Sequence, residues 1–199
     1  MRGAAILTNA SIRTPPPIAA VDNWRNGILA KSLFISEEIA GAKTADAYWI
    51  ENLAAPGIDG RWQRRREFIC SLSGLFCILH EHGIYHNDLK DANILVASSQ
   101  AAGSSPDFYL LDLEGVKAYR RLSERRRIKN LVQLNRTLGC YFRRSDKLMF
   151  IKNYLRTTYR NRALTTRLIR RILTESHRLD IAKGRPRILP NTVGESSGG

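Results

Sequence analysis

Five residues in two short stretches have the types and spacing that phosphoryl transfer requires. Tyr85-His86-Asn87-Asp88-Leu89-Lys90-Asp91-Ala92-Asn93 holds a His-x-Asp pattern with an asparagine five residues past the aspartate. Leu110-Leu111-Asp112-Leu113-Glu114-Gly115 adds a second carboxylate a short hairpin later. Transfer to a hydroxyl needs a carboxylate that orients the hydroxyl and accepts its proton, and Asp88 stands in that place. It also needs a divalent cation shared with the phosphates, for which Asn93 and Asp112 offer hard oxygen ligands. Lys90 would put positive charge beside the group in transfer, where negative charge accumulates. His86 reads as structural, fixing the backbone of the aspartate from beneath, and Asp91 reads as a solvated side chain.

A His-x-Asp tripeptide alone is a weak signal, and its bland counterpart is a satisfied loop histidine beside a surface aspartate. The surrounding elements decide between the two. Arg61 to His82 is helical, with Phe68, Leu72, Leu75, Phe76 and Leu79 on one face and Gly83 as its stop. His80 and His82, on its last turn, are expected to cap carbonyls or face solvent. The loop then leads into an apolar run, Ile94-Leu95-Val96. A turn-rich link from Ser98 to Pro106 and a second apolar run, Phe108 to Leu111, complete the series. Helix, loop, strand, turn, strand and metal loop follow in the order a kinase site needs.

Upstream, residues 1 to 11 read as the tail of a helix. Thr14-Pro15-Pro16-Pro17 makes the stretch from Ile12 to Ala20 extended. Trp24-Arg25-Asn26-Gly27 is a turn signal before a strand over Ile28 to Ile35. The following segment would be the hinge, whose backbone at Glu38, Ile39 and Ala40 is the candidate contact for adenine. Neither a Gly-x-Gly-x-x-Gly loop nor a Val-Ala-x-Lys strand occurs. The expectation is therefore a nucleotide lobe without its first part. Thr44 to Tyr48 could open a short helix, and Ala55 to Gly60 is a loop.

Downstream, no Ala-Pro-Glu tripeptide closes a long activation segment. A helix from Arg125 to Leu138, with Ile128, Leu131, Val132 and Leu134 apolar, follows almost at once. So short a segment suits a small-molecule or glycan acceptor better than a peptide. Asn87 stands where regulated protein kinases carry an arginine, so no partner for a phosphorylated segment is expected there. Helices over Asp146 to Arg160 and Thr165 to His177 read as core, and Lys183 to Gly199 as a disordered tail.

These motifs carry a family resemblance. His86 to Val96, Leu110 to Gly115 and the basic helix start Arg125-Arg126-Arg127-Ile128-Lys129-Asn130 resemble the lipopolysaccharide kinase family, which phosphorylates Kdo or heptose sugars of the lipid A inner core. Members often carry Asp at the position of Asn130. The resemblance, from about Ile12 to Leu173, implies an α+β, protein-kinase-like fold. Its parts would be a partial β-rich N-lobe over 1–40, a helical C-lobe over 41–180 and a tail over 181–199. It implies an ATP- and Mg2+-dependent phosphotransferase, with Asp88 and Lys90 catalytic, Glu38, Ile39 and Ala40 at the nucleotide, and Asn93 and Asp112 at the metal. The implied acceptor is a lipopolysaccharide core glycolipid.

Composition bounds the remaining choices. The chain has 199 residues, room for one real core or two small ones, and no apolar run near the roughly 20 residues of a membrane span. The first residues are too soon interrupted by Asn9 and Ser11 for a secretion signal. Three cysteines without Cys-x-x-Cys spacing fit reduced thiols, so a cytoplasmic location is expected. Net charge is +14, which favours anionic partners such as a phosphorylated sugar or an acidic membrane face. No helix-turn-helix, zinc-finger or RNP pattern stands out, so nucleic acid is not an expected partner. Two other readings remain: a non-catalytic kinase remnant that binds an anionic surface or partner, and an antibiotic- or choline-type small-molecule kinase.

Overall fold

The structure is a computed structural model that describes residues 2–54, 60–97 and 105–184. Helix α1 (Arg2–Asn9) leads to a hairpin of β1 (Pro17–Arg25) and β2 (Ile28–Ser36). Asn26 and Gly27 both take positive φ, 50° and 75°, the turn that keeps a two-residue hairpin twisted the right way. The hairpin is exposed along most of its length, with Ile18, Val21, Trp24, Leu33, Phe34 and Ile35 all open to solvent. Residues 37–42 carry the chain out of the hairpin to β3 (Lys43–Thr44), α2 (Ala45–Trp49) and a π-helical turn, Ile50–Ala54.

Helix α3 (Arg61–Glu81) is the central post. Phe68, Ile69, Leu72, Phe76 and Leu79 are buried along its inner face, as the apolar spacing predicts. Phe68 stacks on Tyr48 and meets Trp49 and Phe108 edge-on, which joins α2 and the central strands to the post. Gly83, at φ 70°, ends it. A short strand, β4 (Ile84–Tyr85), pairs with β7 (Lys117–Ala118). Between them β5 (Ile94–Ala97) and β6 (Asp107–Leu110) form an antiparallel pair, and β3 adds to β5 to make three strands.

Three helices close the C-terminal side: α4 (Glu124–Arg136), α5 (Arg144–Leu155) and α6 (Arg162–Ala182). α5 packs on α3, where Phe76 meets Phe150 edge-on and the buried Arg65 pairs with Asp146. The last helix is longer than its apolar residues predict and runs on to Ala182. Residues 181 and 182, expected in a disordered tail, therefore belong to α6, and residues 185–199 of that tail lie outside the described residues. Most of the Ser98 to Pro106 link and of the Ala55 to Gly60 loop also falls outside them. The helix expected over Asp146 to Arg160 ends at Leu155 and gives way to a 3₁₀ turn over Arg156–Arg160; the mixture of helices and strands is the α+β one expected.

Candidate active site

The antiparallel pairing of β5 with β6 decides where the two motifs meet. Ile94 pairs with Leu110, so Asn93, just before β5, faces Leu111 and Asp112, just after β6. The Leu111 amide donates to the Asn93 carbonyl at 3.0 Å. His86 locks the same junction from below. It is fully buried; its Nε2–H donates to the Leu111 carbonyl at 2.8 Å, and its Nδ1 accepts from the Asp88 amide at 3.3 Å. One imidazole thus ties both loops together in a single tautomer. Burial pushes the His86 pKa down, which preserves that neutral form.

Asp88 is half-buried and well held. Lys90 Nζ donates to its Oδ2 at 2.6 Å, and Asn93 Nδ2 donates to its backbone carbonyl at 2.7 Å and to Oδ2 at 3.2 Å. The Lys90 hydrogen bond is the main reason the Asp88 carboxyl lies below its ordinary pKa, so it stays ionised and able to accept a proton. Because the Asn93 amide nitrogen is committed to Asp88, its Oδ1 is left open; nothing among the described residues donates to it. The Asp112 carboxylate likewise has no partner among the described residues. Asp112 sits in the left-handed region at φ 54°, a strained conformation for a residue with a side chain, found where a site demands a particular direction.

Two unpartnered hard oxygens on adjoining loops fit a Mg2+ ion, which is held by one or two carboxylates and completed by phosphate and water. Among the described residues no cluster of three or more His, Cys, Asp or Glu could hold a metal unaided. Glu38, Ile39 and Ala40 lie in the crossing between β2 and β3.

The support under the loop comes from α4, and sequence reading missed it. Asn130, Gln133 and Thr137 follow one another at helical spacing along one face and its C-terminal end. Asn130 Nδ2 donates to the His86 carbonyl at 2.5 Å and to Gln133 Oε1 at 3.1 Å. Gln133 Nε2 donates to the Asn87 carbonyl at 2.8 Å, and its Oε1 accepts from the Leu89 amide at 3.3 Å. Thr137 Oγ1 accepts from the Asp91 amide at 3.3 Å. The backbone from His86 to Asp91 is therefore gripped at four places. The available signal was a polar line at positions 130, 133 and 137, set among the apolar residues Ile128, Leu131, Val132 and Leu134 on the buried side of a basic helix.

Two expectations are corrected here. His80 does not cap or face solvent: it is 1% exposed, accepts from the Tyr154 hydroxyl at 2.8 Å and donates to Asn130 Oδ1 at 3.3 Å. His82 does reach a carbonyl, that of Ile78, at 2.9 Å. Asp91 is half-buried, not solvated. Desolvation first, then the nearby Asp46 carboxylate, pushes its pKa up, against the hydrogen bond that it accepts from the Ala92 amide.

Burial lowers the His80 pKa to about 4. A free imidazole titrates near 6.5, so between these values the unfolded chain binds a proton that the fold refuses. The stability associated with neutral His80 is present above pH 6.5 and is lost as pH falls toward 4. Denaturant unfolding should show His80 contributing a loss of about 2 kcal/mol between about pH 7.5 and about pH 5. His80→Gln should have a shallower pH dependence; an unchanged slope would contradict the burial account.

The profile of the lipopolysaccharide kinase (Kdo/WaaP) family matches residues 4–154, about three quarters of the chain. The chain belongs to that family. A search of curated proteins returns no match. Among solved structures, "WaaP in complex with acyl carrier protein" superposes with a TM-score of 0.71 at 19% identity, covering 89% of this chain and 74% of that one. At such identity the likeness speaks for the fold, which is kinase-like.

Proposed function

We propose that this family member transfers the γ-phosphoryl group of ATP to a sugar hydroxyl of the lipopolysaccharide inner core, on Kdo or heptose. The observation that carries it is the pairing of a held carboxylate with open oxygens. Asp88 is fixed by Lys90 and Asn93, while Asn93 Oδ1 and the Asp112 carboxylate accept no hydrogen bond from the described residues. Bound Mg2+ and ATP would supply the phosphoryl group and neutralise its charge. Asp88 orients the acceptor hydroxyl and takes its proton. Lys90, already beside Asp88 and within electrostatic reach of Asp112, balances charge on the transferring group. Asn93 and Asp112 would hold the metal, and the backbone at Glu38, Ile39 and Ala40 would meet the adenine.

The site of action that fits an inner-core acceptor is the cytoplasmic face of a membrane, met peripherally through the chain's positive charge. No described helix is long and apolar enough to cross a membrane. The neighbour's complex makes acyl carrier protein a further partner to test. The acceptor reading is tested by incubating the chain with Mg-ATP and either deep-rough lipopolysaccharide or a small amino alcohol. Phosphate should pass to the glycolipid; transfer to the amino alcohol alone would overturn the acceptor assignment while leaving the kinase.

A further inference from the structure

Two cations beside the catalytic loop have no task in the mechanism above. Arg126, in the first turn of α4, lays its guanidinium 4.0 Å from the Tyr119 ring centre and 6.0 Å from that of Tyr85. Lys129, one turn later, places Nζ 5.4 Å from the Tyr85 ring centre and donates to Asn87 Oδ1 at 3.2 Å. The Tyr85 hydroxyl donates to the same oxygen at 3.2 Å. Asn87 is wedged in turn against the end of the Asp112 loop: a Cβ added to Gly115 would stand 2.5 Å from Asn87 Cβ. The group therefore fills the corner between the catalytic loop, the Asp112 loop and α4. Asn87 stands where regulated protein kinases carry an arginine, and α4 brings positive charge to the same corner.

Neither cation is neutralised. The acid closest in sequence, Glu124, is taken by Arg167 and Arg171 of α6 at 3.2 and 2.7 Å. Among the described residues no carboxylate pairs with Arg126 or Lys129. A pair of surface cations is ordinarily a solvated face. These two differ because tyrosine rings hold both in place, which lowers the ordering cost of binding. Lys129 also bonds the side chain of Asn87, the residue next to Asp88, and Arg126 shares the Tyr85 ring with it.

We propose that Arg126 and Lys129, on a platform of Tyr85 and Tyr119, form a subsite for a negatively charged group, carboxylate or phosphate, borne by the sugar acceptor. The inference rests on the sugar-kinase reading and adds its selectivity. The guanidinium offers a paired set of donors to a planar carboxylate or a phosphate, and the ammonium adds a point charge. An acceptor anchored there keeps a neighbouring hydroxyl in reach of Asp88, and a neutral sugar lacks the anchor.

Calorimetric titration of the full chain with Kdo, mannose 6-phosphate, mannose and inorganic phosphate tests this. The variants are Arg126→Gln/Lys129→Gln and, as a control for net charge that leaves the Glu124 pairs intact, Arg162→Gln/Arg170→Gln. The charged sugars should bind at least tenfold more tightly than mannose. That preference should disappear in the first variant and persist in the second. Whichever of Kdo and mannose 6-phosphate binds more tightly identifies the anion as carboxylate or phosphate. Equal binding of charged and neutral sugars, no binding of either charged sugar, or equal losses in both variants would overturn the subsite. Inorganic phosphate binding as tightly as the sugar phosphate would show a free-anion site and would also overturn it. A thermal shift with Mg-ATP, recorded on the same samples, separates the two claims. A subsite that behaves as expected in a chain that ATP does not stabilise keeps this inference and removes the kinase reading; a variant that still responds to Mg-ATP is folded.

Discussion

Asp88→Asn should lower turnover by about 10²- to 10⁴-fold, the range for loss of a positioned general base. The substitution keeps the shape of the side chain and its contact with Lys90 while removing the charge that accepts a proton. The loop itself should remain in place. Its grip comes from His86, Asn130, Gln133 and Thr137, none of which bonds the Asp88 carboxylate. The variant should therefore unfold at nearly the wild-type temperature and still respond to Mg-ATP. The kinetic assay is decisive: turnover within a few-fold of wild type would remove Asp88 from the role of base.

Asn130→Leu should cost about 3 kcal/mol and also depress turnover. Leucine fits the volume but leaves two groups without partners in a buried place, the His86 carbonyl and the His80 Nε2–H, while Gln133 keeps the Leu89 amide and the Asn87 carbonyl. Each unsatisfied buried polar group costs roughly 1–3 kcal/mol, and relaxation around the site offsets part of the sum. The loop carbonyl released is the one next to the Asp88 pair, so the base loses its fixed approach as well. Chemical denaturation measures the first effect and steady-state kinetics the second. Wild-type values in both would show that α4 does not hold the loop.

The contrast between these two residues shows what the sequence disclosed. The positions of Asn93 and Asp112 were legible because the antiparallel pairing of β5 with β6 sets the ends of their two loops side by side. Local spacing then carries nearly all the geometry, and the apolar runs on either side announced the strands. The hairpin turn at Asn26 and Gly27 and the long α3 were legible for the same local reason. Asn130 was not. Its partner at His86 lies 44 residues away, and polar residues on a basic helix read as solvent-facing until the fold turns them inward. His80 misled in the same way: a histidine on a last helical turn suggests a cap, yet its partners come from 50 and 74 residues further on. The cations of α4 lay between these cases. Their charge was plain, whereas their seat on Tyr85 and Tyr119 depends on the β4–β7 pairing that aligns the two rings.

The central claim, that Asn93 and Asp112 hold a metal-bound nucleotide beside Asp88, is tested most directly by thermal shift with Mg-ATP on the wild type and on Asp112→Ala. Asp112 makes no hydrogen bond or ion pair with the described residues, so its removal should leave the unliganded midpoint nearly unchanged. At ligand concentrations about a hundredfold above Kd, binding adds about 2.7 kcal/mol, a rise of several degrees. The account predicts that rise in the wild type and its loss in the variant. An equal rise in both would place the nucleotide elsewhere, and no rise in either would contradict a nucleotide site on this chain.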